Sequence, residues 1–387
     1  MRRRDIPVAL LCFSAAAPAG AQDSGHDARS WPTIRPTALV QIDTTGSDRD
    51  GGHQSPFNLR RGRLGLAGEL SPTLAYAFGV ELGGAVGDER RRLNTLWLEY
   101  RGWAPLRVRA GLLGPSQPFE GSASNLVFLE RAAPASLQRS LAGGSSAVAI
   151  AAFANGARWT ASAGLSGGSI YGSPGRDPLA ANLRVSMLAR KARPLVHVGV
   201  SGTIGIRPEA DHARFSERGE TRSTSRRVVD SGFVEAEGAS AFGFEAAAQW
   251  GRFHTQAEYY RFGIQRGGLD DPEFSGWYAL AAWTLTGEAR PYNLGSGSFD
   301  APRRAEAFAP ARGQWGALEL AARLSRLNLD DPGVIRGGRE RVLSLALNWY
   351  PERRLRIQGA VQQVEAEHAA RPAQDFRLVA LRTQFSL

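Results

Sequence analysis

Arginine is the residue of this sequence best suited to binding small molecules, since Lys191 is its only lysine among 47 lysines and arginines. Two arginine pairs stand two residues apart, Arg61 with Arg63 and Arg107 with Arg109. On a β-strand this spacing puts both guanidinium groups of a pair on one face. A guanidinium keeps its charge and binds phosphate or carboxylate oxygens through two parallel hydrogen bonds. The pairs therefore predict a surface that binds anions.

Three further arginines join this candidate set. Arg323 and Arg356 occupy polar positions of later alternating segments, and Arg131 lies in a long connection, residues 113–144. Any of them could instead pair with an acidic residue, as is common in a wet protein interior. The acidic candidates for such pairs are Glu69, Glu99, Glu130 and Glu319. The predicted anion-pathway residues are Arg61, Arg63, Arg107, Arg109, Arg131, Arg323 and Arg356.

The sequence shows no spacing typical of a catalytic or metal site. Its six histidines are scattered, and none adjoins a serine in a strand-turn-helix elbow. His254 alternates with Gln256 and Glu258, which predicts an inward-facing side chain that forms hydrogen bonds. Paired aspartates at 270–271 and 330–331 could bind calcium, but such pairs are more typical of turns. We predict no enzyme activity, no cofactor and no metal site.

The N-terminus has the features of an export signal. Residues 2–4 are arginines, residues 6–17 are mostly apolar, and residues 19–21 are small, as at a cleavage site. Cleavage there removes Cys12, the only cysteine, so the exported chain has no disulfide. The predicted organisation is a cleaved signal peptide at 1–21, a short extension at 22–34 and one barrel domain at 35–387.

Composition restricts the fold class further. Glycine accounts for 45 of the 387 residues, a high share that favours turns and curved sheets. No stretch after residue 21 is long and apolar enough for a membrane-spanning helix. The net charge of +10 does not indicate nucleic-acid binding, because an exported protein does not meet nucleic acid and no recognised binding motif is present.

Apolar and polar residues alternate along most of the chain. In one segment, Leu343, Leu345 and Leu347 alternate with Ser344 and Ala346. This period of two predicts β-strands with one apolar face. The sixteen predicted strands are residues 35–43, 60–70, 74–82, 94–101, 106–112, 145–154, 157–165, 182–190, 195–204, 241–250, 252–262, 276–287, 314–326, 339–350, 353–366 and 374–387.

The connections between these strands alternate between short and long, as in outer-membrane barrels with tight periplasmic turns and long outer loops. Segment 288–313 is the exception, since it is long where a short turn is expected. Aromatic residues lie near strand ends, which is typical of membrane interfaces. Trp103, Trp250, Trp349 and Tyr350 fall at one rim, and Tyr260, Phe262, Trp277 and Tyr278 at the other. We predict an all-β fold, a transmembrane antiparallel β-barrel of sixteen strands, over a soluble β-sandwich.

Several of these segments resemble the phosphate-selective porin O and P family. The resemblance is carried by Leu59 to Gly68, Leu96 to Tyr100, the Leu-Thr-Gly-Glu segment at 285–288 and the Asn-Trp-Tyr element at 348–350. It implies a trimeric outer-membrane porin whose third loop, fifth loop and one long periplasmic turn fold into the pore. Segment 288–313 matches that turn. The family's anion pathway combines arginines with lysines, and this chain lacks the family's lysine after the fifth strand.

The resemblance and the residues together predict a diffusion porin in the bacterial outer membrane that passes small hydrophilic solutes and prefers anions such as phosphate. Expected partners are outer-membrane lipid, lipopolysaccharide and two further copies of the chain in a homotrimer. A plugged structural or adhesive barrel and, more remotely, a barrel enzyme are the alternatives. Segment 205–240, rich in both charges, is either a funnel that concentrates anions or a solvated loop that binds lipopolysaccharide or divalent ions.

Overall fold

The computed structural model describes residues 31–48, 57–86, 92–114, 118–144, 147–171, 178–207, 211–302, 308–368 and 371–387. The predicted signal peptide and most of the predicted extension lie outside the described residues. Residues 32–387 form one compact unit. No helix among the described residues is long and apolar enough to cross a membrane.

Sixteen antiparallel strands close into one barrel, which confirms the predicted fold class. The strands are β1 (Thr33–Ser47), β2 (Phe57–Ser71), β3 (Leu74–Glu81), β4 (Arg92–Trp103), β5 (Leu106–Leu113), β6 (Ala147–Asn155), β7 (Trp159–Ser169), β8 (Leu179–Arg190), β9 (Leu195–Arg207), β10 (Gly238–Trp250), β11 (Phe253–Gln265), β12 (Glu273–Thr284), β13 (Ala317–Asp331), β14 (Ile335–Glu352), β15 (Leu355–His368) and β16 (Arg371–Ser386). Each pairs with its neighbours along the chain, and β1 pairs with β16 to close the ring, with Gln41 opposite Gln384. A closed ring leaves no unpaired strand edge.

The two faces of the strands explain why the sequence forms a barrel. On β13, Leu320 is exposed on the outside while Glu319 and Arg323 are buried inside. On β14, Leu345 is exposed while Asn348 is buried. A soluble protein buries such leucines, whereas here they face outward in a continuous apolar band that suits lipid.

Two features depart from simple alternation. A β-bulge between β1 and β2 leaves Arg60 opposite no residue, so Arg60 and Arg61 both reach the interior. The prediction that Tyr260, Phe262, Tyr278 and Tyr350 lie in interfacial belts is wrong, because all four face inward and are buried. They pack under loops that fill the barrel there.

Three connections fold into the barrel. L3 (residues 114–146) carries the helix α1 (Ala133–Leu141), and L5 (residues 208–237) lies against it. The long turn (residues 285–316) enters from the end with the short turns and contains a hairpin of two short strands, Tyr292–Asn293 and Ser298–Phe299. These insertions agree with what the family resemblance implies.

The three insertions contact different parts of the inner wall. Val127 of L3 accepts a hydrogen bond from Asn348 (3.0 Å), and Phe215 of L5 packs on Phe262 with ring centroids 5.6 Å apart. Thr160 donates to a carbonyl of the long turn (2.6 Å). An apolar core fills much of the interior beside β10 to β16. Its larger members are Phe215, Val229, Phe262, Ile264, Phe274, Leu327, Leu329, Val364 and Phe376.

Candidate functional site

The N-terminus of the helix α1 is bound inside the barrel by a carboxylate from another loop. It has no side-chain cap of its own, and the backbone N–H of Ala133 donates to Glu220 of L5 (2.8 Å). Glu220 also accepts from Arg323, which donates in addition to the Glu130 carbonyl (3.0 Å). A negative charge at a helix N-terminus is favourable because of the unpaired N–H groups and the helix dipole. Arg323 thus links β13, L3 and L5.

A close backbone approach fixes the other side of α1. A Cβ built on Gly276 of β12 would stand 2.7 Å from Cγ of Pro134, so only glycine leaves room for the helix. Gln138 on the same helix donates to the Thr203 hydroxyl (3.2 Å). The helix therefore lies against the wall formed by β9 to β13.

Arg356 also holds L3. Its guanidinium donates to the carbonyls of Leu126 (2.6 Å) and Val127 (3.0 Å) and to Asn348 Oδ1 (2.8 Å). Gln358 donates to the Val127 carbonyl as well (2.7 Å). With these bonds made and the side chain buried, Arg356 anchors the loop to the barrel wall.

The carboxylate of Glu130 in L3 accepts hydrogen bonds from three arginines. Arg60 donates to it through two nitrogens (2.7 and 2.9 Å), Arg61 through one (3.2 Å), and Arg382 through one (3.0 Å). Burial alone would raise the pKa of the Glu130 carboxyl, but these three positive charges hold that pKa well below its usual range. Glu130 is therefore an ionised anchor between L3, β2 and β16.

The long turn is fixed in a similar way. Arg184 of β8 binds both oxygens of Glu245 and donates to the carbonyls of Ser296 (2.7 Å) and Gly297 (2.6 Å). Arg290 in the turn forms two hydrogen bonds with Glu319, each 2.7 Å. Both ion pairs are buried. Their arginines therefore hold the long turn in place and do not face an open lumen.

A second group of arginines lies on the inner face of β2 to β5, strands that contribute no residue to the main apolar core. Arg63 keeps 33% of its side chain exposed while it binds Glu81 (2.7 Å), and Arg109 keeps 18% while it binds Glu99 (2.6 Å). The Arg109 guanidinium also lies 4.0 Å from the ring centroid of Trp97. Arg107 donates to Asn155 Oδ1 (3.3 Å) and has no acidic partner among the described residues.

L3 contributes two more arginines to this side. Arg131 donates to the Gly121 carbonyl (2.6 Å), with Glu120 at 3.7 Å. Arg139, on α1, forms no hydrogen bond or ion pair with the described part of the chain. Burial and the positive charges of Arg131 and Arg63 lower the pKa of Arg139 to about 9, which leaves it a cation at neutral pH. Arg63, Arg131 and Arg139 together form a positively charged cluster, here called the L3 cluster.

The structure thus divides the seven arginines predicted from the sequence. Arg61, Arg323 and Arg356 are buried in contacts that hold L3, and the other four, Arg63, Arg107, Arg109 and Arg131, are partly accessible from the lumen. Of the four acidic candidates, Glu99 pairs with Arg109 and Glu130 with Arg61. Glu69 and Glu319 pair instead with Arg101 and Arg290, which are outside the predicted set. Arg60 and Arg139 were missed: a bulge turns the first inward, and L3 has no alternation that fixes the direction of the second.

Other sequence-based expectations can be placed as well. His254 faces inward and bonds to Gln256 (3.1 Å), as predicted. L5 is not a solvated outer loop: Glu217 is buried and pairs with Arg222 (3.2 Å), and Asp230 is buried and pairs with Arg214. Within the described ranges no group of three histidine, cysteine or acidic residues could hold a metal ion.

A closed sixteen-stranded barrel with an apolar outside, a charged inside and inserted loops defines an outer-membrane porin. A model of the family "Phosphate-selective porin O and P" matches residues 37–387, so the chain belongs to that family. Membership places the protein in the bacterial outer membrane. Family and fold indicate a channel rather than an enzyme.

Relatives and solved structures agree with this assignment. An uncharacterized protein of Caulobacter vibrioides is 29% identical over 91% of this chain and 74% of its own length. Porin O of Pseudomonas aeruginosa is 28% identical over 38% of this chain and 34% of its own length. OmpT of Vibrio cholerae, solved in a trimer form, has a TM-score of 0.57 at 9% identity, with 92% of this chain and 99% of that chain covered. An anion-selective porin from Comamonas acidovorans has a TM-score of 0.55 at 11% identity, with coverages of 92% and 100%. At these identities the structural likeness shows the fold.

Proposed function

We propose that this porin passes small hydrophilic solutes and prefers anions such as phosphate, which move along the wall of accessible arginines between L3 and β2 to β5. The proposed pathway residues are Arg63, Arg107, Arg109, Arg131 and Arg139. The observation that carries the proposal is Arg139, a guanidinium in the barrel interior without an acidic partner among the described residues. Its neighbours Arg63 and Arg131 add positive charge. Such a cluster attracts anions and repels cations.

The buried arginines and the accessible arginines have different roles in the proposed pathway. Arg323 and Arg356 donate to loop atoms and are 1% and 4% exposed, so an ion in the lumen would not contact them. Arg63 and Arg109 are paired with carboxylates but keep 33% and 18% of their side chains exposed. A paired arginine has a weaker field than a free one, so Arg139 and Arg107 should contribute most to anion preference.

Planar-bilayer recording of the refolded protein in a KCl gradient tests the proposal. We expect discrete conductance steps and a reversal potential on the anion side. Arg139→Gln should roughly halve the ratio of anion to cation permeability, while the control Arg158→Gln, in the exposed turn before β7, should leave it unchanged. Unchanged selectivity in Arg139→Gln would contradict the proposed pathway. A folded barrel without conductance steps would favour the plugged alternative.

Phosphate is tested in the same recordings. A pore that binds phosphate in the L3 cluster should show a chloride current that falls as phosphate is added, and Arg139→Gln should need more phosphate for the same block. Chloride currents indifferent to phosphate would reduce the proposal to a general preference for anions.

We further propose that residues 1–21 are removed on export and that the protein functions as a homotrimer in contact with lipopolysaccharide. The charged, apolar and small-residue pattern of the N-terminus supports the first, and the trimer form in which OmpT of Vibrio cholerae was solved supports the second by analogy of fold. N-terminal sequencing of protein from outer membranes should begin at Gln22. Light scattering of the detergent-solubilised protein should give three chains.

A further inference from the structure

The outer surface of β12 to β16 changes character near the long-loop end of the barrel. Lower on the barrel, Ala322, Leu345, Val361 and Val379 form an apolar outward row across four strands. A second outward row lies four residues nearer the rim, and all of its members but one are charged. Its members, each paired with the next across neighbouring strands, are Trp277, Arg326, Arg341, Glu365 and Asp375. This row with Arg339 and Glu367 above it is here called the rim patch.

The rim patch lies around a surface groove of about 590 Å³. Arg341 pairs with Glu365 (3.2 Å) and Arg339 with Asp330 (3.1 Å), and both arginines are at least half exposed. Arg326 is exposed and its guanidinium forms no hydrogen bond or ion pair with any residue that the structure describes. It is a free cation on the face that carries the lipid-facing leucines.

The position of the groove and the chemistry of its residues restrict which ligand could bind there. A barrel of this kind has lipid around its apolar band and lipid headgroups at each edge of that band. The long-loop end faces the cell exterior, where the outer leaflet consists of lipopolysaccharide with a phosphorylated lipid A. Arginine forms forked hydrogen bonds with phosphate, and tryptophan favours the same interfacial depth.

We propose that the rim patch binds a phosphate of lipid A in the outer leaflet, with Arg326 as the main contact and Arg341 and Arg339 beside it. Glu365 is neutralised by Arg341. Glu367 lies opposite Arg339, and Asp375 lies three strands away from Arg326. Arg326 therefore keeps its positive charge although the patch also carries these acidic residues. The site faces away from the lumen and is separate from the proposed anion pathway. Loss of lipid binding and loss of ion selectivity are therefore distinguishable in one set of variants.

Native mass spectrometry of the purified full-length porin tests the site. The protein is delipidated in detergent and titrated with bisphosphorylated lipid A or with the same lipid A lacking both phosphates. We expect tighter binding of the phosphorylated form to the wild type. Equal binding of the two lipids by the wild type would overturn the proposal without any variant.

Substitution then locates the contact. Arg326→Gln should weaken binding of the phosphorylated lipid by about tenfold, since it removes charge-assisted hydrogen bonds. The control Arg158→Gln makes the same charge change at the opposite end of the barrel and should bind as the wild type does. Wild-type affinity in Arg326→Gln would overturn the assignment. Weaker association between copies of Arg326→Gln, with unchanged lipid affinity, would assign the patch to a protein interface and would also overturn it.

Discussion

The Glu220 carboxylate of L5 accepts a hydrogen bond from the backbone N–H of Ala133, the first residue of α1 in L3, at 2.8 Å. Glu220 adopts a left-handed backbone, with φ of 56°, directly after Gly219 at 75°. Non-glycine residues rarely adopt this conformation, and here it turns the side chain toward the helix. The conformation of one inserted loop therefore depends on the other.

Glu220→Gln should loosen both loops. The substitution keeps the shape of the side chain but places an amide NH₂ group against the buried Arg323 guanidinium, which then has only Glu120, at 3.7 Å, as an acidic partner. Breaking such a buried pair costs about 3 kcal/mol or more. We expect noisier conductance and faster deuterium uptake by residues 118–144. Glu235→Gln, on an exposed position of L5, is the control; identical uptake in both variants would contradict the interlock.

Accessible and buried arginines should respond differently to substitution. Replacing Arg107 and Arg109 together with alanine should lower anion preference, because it removes two cations from the accessible wall while L3 keeps its anchors. Arg356→Gln should instead preserve reversal potentials and reduce thermal stability, because the Leu126 carbonyl loses its Arg356 donor and the Val127 carbonyl keeps only the bonds from Asn348 and Gln358. Reversal potentials and melting curves of both variants separate the roles. A selectivity change in Arg356→Gln alone would reverse this assignment.

These contrasts also show how far the sequence predicts the structure. All sixteen strands follow from the period of two, because lipid outside and water inside impose opposite polarity on alternate residues. The inward direction of Arg60 is not predictable from this alternation, because a single β-bulge shifts the register at that position. The inward position of the aromatic rings at 260, 262 and 278 is also not predictable from it, because the long loops fill the interior with apolar side chains. Arg139 lies on a loop helix whose direction is set by distant contacts from Arg323 and Glu220.

Acid should release L3 only well below neutral pH. Because the pKa of Glu130 is lower in the folded protein than the ordinary value of about 4.3, its ionisation stabilises the fold above that ordinary value. The contribution disappears as the pH falls through the folded pKa. We expect the protection of the L3 amides, corrected for the intrinsic pH dependence of exchange, to stay constant from neutral pH to about pH 5. Under stronger acid the protection should fall, so that the corrected uptake becomes rapid. Glu130→Gln should show the rapid uptake already at neutral pH; a slow, acid-sensitive L3 in this variant would disprove the role of Glu130.

Gly297→Ala should displace the long turn from the lumen. Gly297 has φ of 60°, and a Cβ built there would stand 2.5 Å from the Ser186 hydroxyl oxygen. Alanine therefore meets both a strained backbone and a close contact, at a cost of about 1 kcal/mol or more. As the turn withdraws, its carbonyls leave Arg184, and we expect higher single-channel conductance. Gly295→Ala is the matched control, since Gly295 lies in the same hairpin without a positive φ. Equal conductance in the two variants would mean that the turn does not narrow the pore.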